Sequence, residues 1–196
     1  MSYIAKRTRG SDGDGATHIF TFHGTGGTEQ QFHGFAEEMF PDAHVTSPRG
    51  DVSEGGALRY FRRMAEGRYD MDDRAQRSKA MADFVRSEAA GAEGVIALGY
   101  SNGANIAATV ALDADVFTDM VLLHPLIPWA PAPQPALNGK RILITAGERD
   151  PICPKPQTQA FADYLKAQGA DVTLHWHAGG HEIAQSEVAA IEAFFA

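Results

Sequence analysis

One cysteine, Cys153, stands among the 196 residues. No disulfide can form within the chain, so a reducing compartment is expected. No run of about eighteen apolar residues occurs, so nothing reads as a transmembrane helix. The opening Met1-Ser2-Tyr3-Ile4-Ala5-Lys6-Arg7 lacks the apolar core of a secretory signal, and a cytoplasmic protein is expected. Basic residues are scarce as well: 17 Lys and Arg face 25 Asp and Glu, a formal charge of −8. Without a basic stripe to neutralise phosphates, neither nucleic acid nor an anionic membrane is an expected partner. His18, His23, His33 and His44 follow no recognised ligand spacing, so no metal is expected.

What is present reads as one globular α/β domain over residues 1–196. Apolar strands alternate with amphipathic helices, which implies a mostly parallel twisted sheet with helices on both faces. Strands are expected near 3–8, 17–23, 43–47, 95–100, 119–123, 141–147 and 172–176. Helices are expected at 28–39, from an N-terminus at Met71-Asp72-Asp73 with Asp72 or Asp73 near its cap to Gly91 or Gly94, after residue 101, and twice more around Phe161 and Ile191. Gly10–Gly15 reads as an acidic turn. The proline-rich stretch Pro125–Pro135 is too short for a cap domain and reads as a stiff loop, leaving an open groove.

The most informative segment is Gly99-Tyr100-Ser101-Asn102-Gly103, between the apolar Val95-Ile96-Ala97-Leu98 and the small-residue run Ala104-Asn105-Ile106-Ala107-Ala108. G-x-S-x-G between strand and helix is the nucleophile elbow, a tight turn that lifts the serine hydroxyl above the sheet. Upstream, His23-Gly24-Thr25-Gly26-Gly27 follows a buried strand. Such a loop supplies one backbone N–H of an oxyanion hole, and the residue after the nucleophile, Asn102, supplies the other. The loop lacks the lysine and the spacing of a phosphate cradle.

Asp150 follows the strand Arg141–Gly147 and precedes Pro151, which fixes a defined loop. A carboxylate there lies on the same rim as the elbow, where it can orient a histidine. Glu148 is its rival. His181, in Ala178-Gly179-Gly180-His181-Glu182, sits on a glycine-loosened loop able to reach Ser101; His175 and His177 are tied to the preceding strand. The order Ser101, Asp150, His181 is that of the α/β-hydrolases.

Taken together, these segments resemble the small carboxylesterase/phospholipase branch of the α/β-hydrolases, which includes acyl-protein thioesterase-like enzymes. Within it the chain is most similar to a bacterial subgroup associated with hydroquinone and quinone resistance. The matching segments are His23–Gly27, Ser47-Pro48-Arg49-Gly50, Gly99–Asn105, Asp150–Pro154 and Gly180-His181-Glu182. The resemblance implies a Ser101–His181–Asp150 triad and an oxyanion hole made by the amides of Thr25 and Asn102. It implies a serine hydrolase acting on small esters without a cofactor. Thioester, lysophospholipid or carbon–carbon cleavage, and a non-catalytic binding protein on the same fold, are the alternatives. A homodimer is the default for an enzyme of this size.

Six further residues are candidates for substrate contact: His23, Gly24, Arg49, Tyr60, Leu126 and Trp129. Arg59-Tyr60-Phe61-Arg62-Arg63 reads as a short helix with an aromatic face, and an Arg49–Glu54 ion pair holding the loop is the preferred structural reading. Cys153, three residues past Asp150, is read as a packing residue ahead of a redox or quinone-reactive one.

Overall fold

Apolar runs bounded by polar turns fix the strands of this protein, whose computed structural model describes residues 3–11 and 16–196. In chain order the elements begin with β1 (Ala5–Thr8), β2 (Thr17–Phe22), α1 (His33–Met39) and β3 (His44–Pro48). Four short strands follow: β4 (Val52–Glu54), β5 (Ala57–Arg59), β6 (Arg63–Ala65) and β7 (Arg68–Tyr69). Then come α2 (Met71–Glu88), β8 (Gly94–Tyr100), α3 (Asn102–Asp113) and β9 (Asp119–Leu123). The chain continues with β10 (Arg141–Gly147), α4 (Lys155–Ala167), β11 (Asp171–His177) and α5 (Gln185–Phe195).

Seven strands form the main sheet in the order β1-β3-β2-β8-β9-β10-β11. All neighbours run parallel except the edge strand β1, which is antiparallel to β3. The central strands are buried on both faces, which is why β8 and β10 read as continuous apolar runs instead of alternating. The α2, α3 and α4 side chains Met81, Ile106 and Phe161 pack into the larger core cluster on one face. Ala36 of α1 and Ile191 of α5 close the other. No helix among the described residues is long and apolar enough to cross a membrane.

Two elements depart from the sequence reading. The first helix starts at His33, not near residue 28, because Glu29 and Gln31 are used as loop ties: Glu29 pairs with Arg49, and Gln31 Oε1 accepts the Gly24 amide. The second helix opens where expected, with Asp72 and Asp73 in its first turn, and its cap is Asp70, whose side chain accepts the Asp73 amide at 3.1 Å. The segment 59–63 is not a helix. Gly55 and Gly56, with φ of 59° and 92°, make a two-residue turn that closes β4 on β5, and Gly67 helps turn β6 into β7. Most of the expected Gly10–Gly15 turn lies outside the described residues. Residues 125–134 form an irregular connection without a helix, closed by a single 3-10 turn at Pro135–Leu137.

Candidate active site

The elbow is built by close backbone approach. Ser101 caps α3 with φ 53° and ψ −118°, a conformation that costs a non-glycine residue about 1–3 kcal/mol and needs support from its surroundings. The Ser101 amide donates to the Leu123 carbonyl at 2.8 Å, and the Ser101 carbonyl receives the Asn105 amide at 2.9 Å. A side chain at Gly103 would collide with the backbone of Phe22, and one at Gly99 with the Gly103 carbonyl. Both glycines are therefore structural requirements of this strand-to-helix crossing.

Folding brings Ser101, Asp150 and His181 into one hydrogen-bonded line. Ser101 Oγ lies 2.9 Å from His181 Nε2, and His181 Nδ1 lies 2.7 Å from Asp150 Oδ2. With a carboxylate facing Nδ1, that nitrogen carries the proton and Nε2 is left to accept from the hydroxyl. Asp150 is buried. Its Oδ1 accepts the amides of Ile152 and Cys153, at 2.8 and 2.9 Å. Burial disfavours its charge, yet the Cys153 amide, His124, His181 and the Ile152 amide together hold its carboxyl below the ordinary aspartate range. Tyr100 fixes the histidine loop by donating to the His181 carbonyl at 2.6 Å.

The rivals stand elsewhere. Glu148 is exposed and paired with Lys155, and His175 contacts Ser186. His177 accepts the Gly179 amide through Nδ1 and turns its other nitrogen toward Glu187.

Thr25 and Asn102 line the same pocket as Ser101, a cavity of about 280 Å³. Asn102 is the first residue of α3, so its amide is among the helix's first four, which have no acceptor within the helix. Its side chain accepts the Tyr60 amide at 2.8 Å. Of the other expected contacts, Leu126 lines this pocket. Gly24 lies against the Tyr100 ring. His23 and Tyr60 lie beneath the loop as its internal bracing. The Tyr60 hydroxyl accepts the His23 amide and donates to the Pro48 carbonyl, and His23 Nε2 accepts the Gly50 amide. Arg49 is held by Glu29 in place of the expected Glu54. Glu54 instead faces Arg59 and Arg63. Trp129 packs on Tyr69 and under Arg74, facing a neighbouring groove.

The hairpins supply walls that the sequence reading missed. Arg59, Arg63, Glu66 and Tyr69 all line the pocket. Arg59 is nearly fully buried and donates to the Thr25 hydroxyl at 2.7 Å. The Gly55-Gly56 pair was the available signal, since a two-glycine turn between short β-prone segments marks a hairpin. Cys153 also borders the cavity, but its thiol is buried, is pushed strongly up by burial, and donates to the His124 carbonyl.

Behind the line lies a second layer. His124 Nδ1 is 2.9 Å from Asp150 Oδ2, and its Nε2 is 3.0 Å from Glu187 Oε1, off the axis of the N–H and so an ion contact more than an aligned hydrogen bond. Among the described residues, two sets of side chains come close enough to share a cation: His124, Asp150 and His181, and His124, His177 and Glu187. In the first set His124 Nδ1 and His181 Nδ1 both face Asp150 Oδ2 at hydrogen-bond distance, 2.9 and 2.7 Å.

Comparison with known proteins agrees with this architecture. The dienelactone hydrolase family profile matches residues 54–190. The MhqD protein of Bacillus subtilis (strain 168), which carries the name of a hydrolase, is 38% identical over 175 residues, covering 86% of this chain and 87% of its own. Among solved structures, the Bacillus cereus carboxylesterase is 34% identical with a TM-score of 0.90, over 98% of this chain and 93% of that one. The Agrobacterium tumefaciens protein Atu2452 is 47% identical with a TM-score of 0.92, over 98% and 95%.

Proposed function

Because the chain belongs to the dienelactone hydrolase family, we propose that it is a serine carboxylesterase cleaving small carboxylic esters through an acyl-enzyme. The observation that carries this reading is the unbroken line from Ser101 Oγ through His181 to Asp150, at 2.9 and 2.7 Å. The Bacillus cereus carboxylesterase, alike over nearly the whole chain, supports the choice of an ester bond.

In this mechanism Ser101 Oγ attacks the carbonyl carbon while its proton passes to His181 Nε2. The amides of Thr25 and Asn102 hold the oxyanion, each contributing on the order of 3 kcal/mol. Asp150 keeps the imidazole in the reactive tautomer and stabilises its cation. When the tetrahedral intermediate collapses, the bond to the alcohol oxygen breaks and His181 returns the proton to it. Water enters, gives a proton to His181, and attacks the acyl carbon; the acid leaves and Ser101 recovers its hydrogen. No cofactor takes part. A cavity of about 280 Å³ suits a small acyl group better than a long lipid chain.

The test is a kinetic comparison of the protein and its Ser101→Ala variant on short-chain aryl esters, matched thioesters and lysolipids. Hydrolysis of the oxygen esters is expected to dominate, and to fall roughly 10⁴-fold or more in the variant while the fold is kept. Equal turnover by the variant would remove Ser101 as nucleophile. A folded protein inert toward all three classes would favour a binding role.

A further inference from the structure

The most unusual buried group outside the catalytic line is His124, and it stands directly behind Asp150. It follows β9, the strand between the elbow strand β8 and the aspartate strand β10. Its side chain is completely enclosed, and its φ of 52° is one of only two positive values among the described non-glycine residues, the other being Ser101. Such backbone is held in place from outside. Here the His124 amide donates to Thr145 at 2.8 Å and its carbonyl accepts the Cys153 thiol. The strain aims the ring.

The ring points at two carboxylates. Asp150 Oδ2 lies 2.9 Å from Nδ1 and Glu187 Oε1 lies 3.0 Å from Nε2. Glu187 is itself wholly buried; it accepts the Thr145 hydroxyl and the Ala184 amide, and His177 Nε2 approaches its other oxygen at 3.3 Å. Around His124, Asp150 faces it from the loop after β10, Glu187 from α5, His177 from the end of β11 and His181 from the loop beyond. Tyr100, at the end of β8, and Cys153, ahead of α4, are further titratable neighbours, and the exposed carboxylate of Glu182 acts on His124 from the same loop as His181. Lysine and arginine are absent from that set.

Resting on the serine-hydrolase reading of this site, we propose that His124 is a permanent imidazolium clamped between Asp150 and Glu187. It acts as a positioning residue that fixes and charge-balances the triad aspartate. Two carboxylates buried around one ring cannot both remain ionised unless the ring carries both protons. With it charged, the group of three has a net charge of minus one, the same as a lone triad aspartate. Oδ2 of Asp150 then accepts from two histidines at once, which leaves its carboxylate no freedom to turn away from His181. Burial works against the charge on His124, but the contacts to Glu187 and Asp150 outweigh it and raise its pKa above that of ordinary histidine. The ring lines no part of the substrate cavity, so it acts only through Asp150.

Nitrogen NMR of the ¹⁵N-histidine-labelled full chain tests the charge without any substrate, with His124→Asn assigning the resonance. Near pH 8, well above the ordinary histidine value of about 6.5, both ring nitrogens of His124 are expected to be protonated. A bare nitrogen at that pH overturns the proposal, whether or not the protein is an esterase. Kinetics tests the role, with rates normalised to fluorophosphonate-reactive sites. His124→Asn keeps a donor beside Asp150 but deletes the cation; kcat is expected to fall about tenfold or more at unchanged KM. The acid limb of its pH profile should also move up, since His181 then faces uncompensated negative charge. The double variant His124→Asn/Glu187→Gln restores the net charge of minus one and should recover most of both effects. A double variant as impaired as the single one, or a single variant with the parent's kcat and pH profile, rules the role out. If His124→Asn does not fold, Glu187→Gln serves instead, both to assign the signal and to lower the pH at which His124 loses its proton; a signal unmoved by it contradicts the clamp.

Discussion

At the residue scale, Asp150 carries the densest set of hydrogen bonds in the site: two histidines on Oδ2 and two amides on Oδ1. Every one of those partners donates. An amide in its place must turn one N–H₂ edge toward a donor, so Asp150→Asn cannot satisfy all four. It also removes the charge that stabilises protonated His181. Its kcat on a short-chain ester is expected to drop roughly 10³–10⁴-fold, with a lower urea midpoint because a buried donor is left facing a donor, which steady-state kinetics and a urea titration together check. Ser101, Asp150 and His181 were legible in the sequence because each sits in a local signature: an elbow, a strand end before proline, a glycine-loosened loop. His124 was not, although it also ends a strand. Its partnership depends on β9 lying between β8 and β10, and on Glu187, which in the sequence reads only as an acidic residue early in a helix. Arg59 escaped for a related reason, since burial of a guanidinium against Thr25 follows from a hairpin and not from a motif.

Among the elements, the crossing of β8, α3 and β2 has little tolerance for added volume. A methyl group at Gly103 would meet the Phe22 carbonyl carbon at 2.5 Å, backbone against backbone, so neither can rotate aside. Gly103→Ala is therefore expected to cost about 1–3 kcal/mol of stability, read as a lower urea midpoint at unchanged slope, and to displace Ser101 from His181. In the middle of α3 the opposite change is informative. Ile106 is fully buried, and Ile106→Ala should cost about 2–5 kcal/mol through the cavity it leaves, with the Ser101–His181–Asp150 line retained. Most strands and helices were legible because their periodicity or apolar run length exceeds what loops show. The stretch 59–63 misled because Tyr60 and Phe61, two neighbouring aromatics, look like one helical face. Both are buried from the bend between β5 and β6 instead, Tyr60 under the loop 23–27 and Phe61 against Tyr69.

For the whole molecule, the buried histidines set the response to acid. Burial lowers the pKa of His18 to about 4, with His44 adding to the effect, and burial likewise depresses His23 and His33. In the unfolded chain these groups titrate near about 6.5. As the pH falls from 7 toward 4, the unfolded state takes up protons that the folded state refuses, so stability declines. Asp150 and Glu187, held below the ordinary carboxylate range, add a further loss as the pH drops below about 4 and through their folded values. His124 has the opposite sign: its raised pKa contributes stability below about 6.5 that is lost as the pH rises through its folded value. Three depressed histidines against one raised decide the direction. The urea midpoint is expected to be lower at about pH 5 than at about pH 7.5, with a shallower difference in His18→Gln. An equal midpoint at both pH values would contradict this.

The central claim is that Ser101 is a nucleophile activated by His181 and Asp150. It is tested most directly by treating the folded protein with a fluorophosphonate and mapping the adduct by peptide mass spectrometry. One covalent adduct on the peptide carrying Ser101 is expected, absent in Ser101→Ala and strongly slowed in His181→Ala. Folded protein that takes up no label, or label on another residue that persists in Ser101→Ala, would contradict the account.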